Sequence, residues 1–79
     1  MTRMPRVTAA ELLCALHRDG WSEARSRGSH IQLTHPTKAG RITVPMHTAK
    51  VIPPAVLTSI LKQAGLTTAE LQRLLGRGG

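Results

Sequence analysis

The 79-residue chain predicts an α+β domain: a three-stranded antiparallel sheet with helices on one face and a short helix at the end. Two stretches repeat their apolar residues at spacings of three and four, as amphipathic helices do. Between them the period drops to two, as in strands with one buried face. A chain this short buries only a thin core, so one sheet under two or three helices, in a single domain spanning 1–79, is near its limit. Residues 1–6 and 76–79 are expected to be flexible ends.

Taken in order, Val7 to Gly20 reads as the first helix. Thr8 and Glu11 have the spacing of a capping box, Ala9, Leu12, Leu13 and Leu16 form the apolar stripe, and Asp19-Gly20 closes it. Cys14 and His17 lie off that stripe. Trp21 to Arg25 is a short strand and Ser26 to Ser29 a loop. In the next strand Ile31 and Leu33 point one way, and His30, Gln32 and Thr34 the other. Pro36 to Gly40 is a turn, after which Ile42 and Val44 face inward and Arg41 and Thr43 outward, giving a hairpin with one wet face. Met46 to Pro53 is irregular. Pro54 suits a first helical position, and Leu57, Ile60, Leu61 and Ala64 make the stripe of a helix ending at Gly65. Thr67 and Glu70 repeat the capping box before Leu71, Leu74 and Leu75.

Charge is distributed unevenly. The net charge is +7, and no acidic residue falls between Ala24 and Ala69, where Arg25, Arg27, Lys38, Arg41, Lys50 and Lys62 all lie. A uniformly positive stretch gathers a polyanion through phosphate contacts and counterion release. A strongly acidic protein is the other partner that such a surface suits. A membrane is not, because no apolar run reaches the roughly 18 residues of a span and no basic helix carries aromatic anchors. Met1 to Arg6 lacks the apolar core of a signal peptide, and the single cysteine excludes an internal disulfide, which together point to the cytoplasm.

The wet sheet face, with His30, Gln32, Thr34, Arg41 and Thr43, holds one group that can exchange protons near neutral pH. His30 follows Gly28 and Ser29, where the backbone can approach a ligand closely. It is a candidate general acid/base beside a phosphate; on spacing alone an ordinary surface histidine on a strand is the favoured reading. His47, after Pro45 and Met46 and before Lys50, could give a second proton-transfer group, a phosphate contact, or nothing beyond a loop side chain. His35 has the parity of Ile31 and Leu33 and reads as structural. The four histidines and one cysteine show no Cys-x-x-Cys or same-face pair, so no metal or other cofactor is expected. The scarcity of carboxylates also argues against two-metal nuclease chemistry. With no Phe or Tyr, a sheet that stacks bases on aromatics is not expected, whereas the α-β-β-β-α order matches the double-stranded RNA-binding fold.

Several segments together resemble the HicA toxins. They are Gly28-Ser29-His30 at a strand start, His35-Pro36, Arg41-Ile42-Thr43-Val44-Pro45-Met46-His47, and the helix from Leu57 to Leu66. The resemblance runs from about Ala10 to Leu75, and Met46 stands where the family commonly has a basic residue. It implies a type II toxin–antitoxin toxin with a double-stranded RNA-binding-like fold, acting as a metal-independent endoribonuclease on messenger RNA and silenced by an acidic HicB-like antitoxin. The family's essential histidine maps onto His30, and the histidine of its Pro-x-His segment onto His47. Arg25, Arg27, Gly28, Ser29, Arg41, Thr43, His47 and Lys50 are then the candidate RNA contacts. A non-catalytic RNA-binding module on the same fold, and an adaptor that docks an acidic protein, are the alternatives.

Overall fold

The computed structural model describes residues 4–46 and 50–76. Helix α1 covers Ala9–Arg18 and starts where Thr8 and Glu11 satisfy each other. The Thr8 hydroxyl accepts the Glu11 N–H at 3.2 Å and the Glu11 carboxylate accepts the Thr8 N–H at 2.9 Å. This cap contributes about 1 kcal/mol and fixes the helix start two residues later than hydrophobicity suggests. Val7 stays extended but buried, and its carbonyl accepts the Ile52 N–H, which pins the segment after the sheet to the start of α1.

Three antiparallel strands follow, β1 (Ser22–Arg27), β2 (His30–Thr34) and β3 (Ile42–Pro45), in that spatial order. The first strand is longer than its side chains announce. Ser26 and Arg27, expected in a loop, pair with Ile31 and His30, leaving Gly28-Ser29 as the connection. Gly28 has φ +59° while Ser29 does not have positive φ. That is the pattern of a type II′ turn, which keeps two right-twisted strands in register up to the last pair. The main-chain ladder extends β1 here; its side chains show no alternation because all six are exposed.

Helix α2 (Pro54–Ala64) and the short α3 (Thr68–Leu74) complete the chain, the latter opened by a Thr67–Glu70 capping box. Both long helices lie on one face of the sheet, against β3, and α1 packs on α3. Leu12 and Leu16 of α1, Ile31 and Leu33 of β2, Ile42 and Val44 of β3, and Leu57, Ile60 and Leu61 of α2 form one buried core with Trp21 and Leu71. Each such side chain contributes about 1.5–3 kcal/mol on burial.

One end of the molecule is tied by polar groups. The Asp19 carboxylate accepts from Trp21 Nε1 at 3.2 Å and from Lys38 Nζ at 2.7 Å, and Lys38 also donates to the Ala64 carbonyl at 2.9 Å. His35 Nδ1 accepts the backbone N–H groups of Thr37 and Lys38, both at 3.1 Å. Its hydrogen therefore sits on Nε2, which donates to the Asp19 carbonyl at 2.7 Å. The end of α1, the start of β1, the β2–β3 turn and the end of α2 meet in this network.

Candidate nucleic-acid interface

The pairing register decides which side chains share the uncovered face. Arg25 lies opposite Gln32 and Arg27 opposite His30 on one side, while Thr43 lies opposite Gln32 and Pro45 opposite His30 on the other. Directly paired residues point the same way, with Cβ atoms about 5 Å apart. His30 is thus at the centre of a row, Arg27–His30–Pro45, and Gln32 at the centre of the next, Arg25–Gln32–Thr43. Arg41, just before β3, reaches back so that Nη1 donates to Gln32 Oε1 at 3.4 Å, a long and weak bond. Ser22 and Thr34 form the far end of the same face.

A bulge sorts the charges of β1. Glu23 pairs with Leu33 and Arg25 with Gln32, so Ala24 is the extra residue. In a regular strand Glu23, Arg25 and Arg27 would share one face, and the carboxylate would neutralise an arginine. With the bulge, Glu23 points to the helix side and both arginines to the wet side. No pattern in the sequence marks this irregularity, since neither face of β1 is apolar.

The cations of this face are available. Among the described residues, the side chains of Arg25, Arg27 and Lys50 are exposed and make no hydrogen bond or ion pair, and neither does that of His30. Lys38 is different: its ammonium is held by Asp19 at the opposite end, so it belongs to the fold although it falls in the acid-free stretch. Lys62 is on the outer side of α2. His35 is engaged in the network above, and His17 is exposed on α1, away from the sheet. His47 lies outside the described residues. Among the described residues no three His, Cys, Asp or Glu side chains approach closely enough to hold a metal ion, and no helix is long and apolar enough to cross a membrane.

Lys50 follows β3 in the chain and is exposed. It lines, with Ala9, Pro45, Val51, Ile52 and Pro53, an apolar cavity of about 200 Å³. Arg25 and Arg27 on one flank and Arg41 on the other make an open positive channel across the sheet face, with the His30 imidazole on its central strand. The Gly28-Ser29 turn forms one end of the channel. Such an arrangement can hold a phosphodiester from two sides and offer it a proton acceptor. The channel floor has no aromatic ring apart from that imidazole, because Trp21, the chain's only Phe, Tyr or Trp side chain, is 1 % exposed in the core.

Residues 9–66 match the family model described as the HicA toxin of bacterial toxin-antitoxin. A search of curated proteins finds no match.

Proposed function

The chain belongs to the HicA toxin family and is a toxin of a toxin–antitoxin pair; from that premise we propose that it is a metal-independent endoribonuclease whose acid/base is His30. The observation that carries the reading is an exposed imidazole that has no side-chain hydrogen bond among the described residues and stands beside Arg27 and Arg25, on a strand whose backbone is fixed by neighbours on both sides. A rigid strand positions a proton acceptor better than a loop does, and an imidazole without protein partners has both nitrogens free for substrate.

In this reading a phosphodiester of messenger RNA lies across the channel, its oxygens held by Arg25, Arg27, Arg41 and Lys50, with Gly28, Ser29 and Thr43 at its margins. His30 takes the proton of the ribose 2′-hydroxyl as that oxygen bonds to phosphorus. The bond from phosphorus to the 5′-oxygen breaks, leaving a 2′,3′-cyclic phosphate and a 5′-hydroxyl. The guanidiniums stabilise the charge that builds on the non-bridging oxygens. A second donor must protonate the leaving oxygen, for which His47 and water are the candidates. No carboxylate cage for magnesium is needed, because the nucleophile belongs to the substrate.

An enzyme with such an open site requires an inhibitor in the cytoplasm, and an acidic HicB-like antitoxin that covers His30 fits the positive channel. The same field would speed their encounter. The test is cleavage of messenger RNA in excess EDTA by the wild type and His30→Ala, with analysis of the ends. Cyclic phosphate ends from the wild type alone support the proposal. A strict magnesium requirement, or full activity in His30→Ala, overturns it; binding without cleavage in both would leave a non-catalytic RNA-binding module.

A further inference from the structure

The two outer strands of the sheet are unequal. β3 has four residues, ends in Pro45 and buries alternate side chains beneath the helices. β1 has six residues, contains neither proline nor glycine, and is exposed on every one of them. It pairs with β2 along one edge only, so among the described residues its other edge meets no strand. Every second residue there directs its N–H and C=O outward, at a repeat of about 6.8 Å. That is the spacing of another polypeptide strand.

We infer that the free edge of β1 receives a strand of the acidic antitoxin, which extends the sheet to four strands; this rests on the toxin–antitoxin reading above. Charge selects the occupant. Arg25 and Arg27 project from β1 on the wet side, and like charges on neighbouring strands repel. A second copy of this chain, with its net charge of +7, would bring arginines against arginines. An acidic strand would bring carboxylates against them instead. The arginines and the bulge at Ala24, devices that commonly protect an edge from casual pairing, here leave it open to one class of partner. RNA does not compete for this edge, since its phosphates seek the cations on the face and not a row of alternating donors and acceptors.

The site of docking also explains how inhibition follows. Arg27 is paired with His30, so a strand beside β1 runs two strand spacings, about 10 Å, from the imidazole. The segment that leaves it near the Gly28-Ser29 turn can fold over the channel. Main-chain bonds at the edge would give affinity, and the carboxylates on Arg25 and Arg27 would give the choice of partner.

Amide hydrogen exchange of the His30→Ala protein, followed by NMR, tests this with an acidic HicB-type antitoxin as the probe. In the complex, alternate amides of Ser22–Arg27 should exchange roughly 100-fold more slowly than in the free toxin. A DNA oligonucleotide, which occupies the face and is not cut, should leave those amides at their free rates. A complex that shifts the resonances around position 30 while β1 exchanges as before overturns the added strand and spares the antitoxin reading. If no complex forms, both fall.

Discussion

His30 and His35 begin and follow the same strand, five positions apart, and the protein treats them in opposite ways. Both ring nitrogens of His35 are occupied by main-chain partners, and its ring meets Trp21 edge-on with centroids 5.1 Å apart. Among the described residues the His30 ring has no hydrogen-bond partner, and it is exposed between Arg27 and Pro45. The lysines divide alike: Lys38 is held by Asp19 and Ala64, while Lys50 meets no side-chain partner among the described residues. A side chain saturated by its own protein has nothing left for a ligand. One end of the sheet is thus built to hold, the other to be used.

The widest separation should come from the histidines themselves. His30→Ala should lower RNA cleavage by roughly 100- to 10,000-fold. Its thermal midpoint should hardly move, because an exposed, unbonded side chain contributes within about 0.5 kcal/mol. His35→Ala should do the reverse, losing roughly 2–4 kcal/mol of stability by stranding three backbone partners, while the folded fraction still cuts RNA. In a domain of this size that is roughly a 10–20 °C fall in midpoint by calorimetry or circular dichroism. An early-melting His30→Ala, or a stable and inactive His35→Ala, would break the contrast.

Gly20 sharpens it at one atom. Its φ is +106°, and an added Cβ would stand 2.7 Å from His35 Nε2. Gly20→Ala should therefore lose about 1–3 kcal/mol from backbone strain alone, before any displacement of the His35 ring, with no change in RNA affinity by filter binding. A Gly20→Ala protein as stable as the wild type would show that the network can shift at no loss.

Salt dependence separates the two kinds of lysine and arginine. If about four phosphates are neutralised, log K against log salt should slope at roughly −3 to −4. Arg27→Glu should flatten that slope by one unit or more, whereas Lys38→Gln should lower stability and leave the slope alone. Equal slopes for the two would mean that the face is not the polyanion site. The smallest effect concerns Glu70. Hydrogen bonds from the Thr67 backbone and hydroxyl hold its carboxyl below the ordinary value of 4.5. A depressed carboxyl stabilises above that ordinary value, and the contribution is lost as pH falls through the folded one. Helical carbon shifts of α3 should weaken below pH 4.5 in the wild type and stay level in Glu70→Gln, whose amide can accept at any pH.

The helices and the inner strand pair were legible because their signals are local and periodic. Both capping boxes, the stripes of α1 and α2, and the alternation of Ile31, Leu33, Ile42 and Val44 all appear where spacing put them. So did the parity that leaves His30, Gln32 and Thr43 on the uncovered face. The side-chain pattern shortens strand β1 because no core disciplines it, and its bulge is invisible there because only a partner strand can define an extra residue. The Asp19–Trp21–His35–Lys38 network also escaped, since it joins residues up to 19 positions apart through side-chain geometry. His35 could be set aside by parity, but nothing in the sequence said what it held.

The four acidic residues carry a consequence for how this protein can vary. Glu11 and Glu70 close helix starts, Asp19 anchors the polar network, and Glu23 is turned off the wet face by the bulge. Negative charge is almost wholly fastening, and positive charge on the channel is almost wholly free of fastening duty. Variation can therefore act on them separately. Arginines of the wet face can be gained or lost one at a time, which would retune what that face attracts against a silent background of stability. Change at Glu11, Asp19 or Glu70 should instead appear first as less folded protein, whatever happens to binding. A toxin and its inhibitor that drift together need such a surface, one where recognition can be rewritten without rebuilding the molecule beneath it.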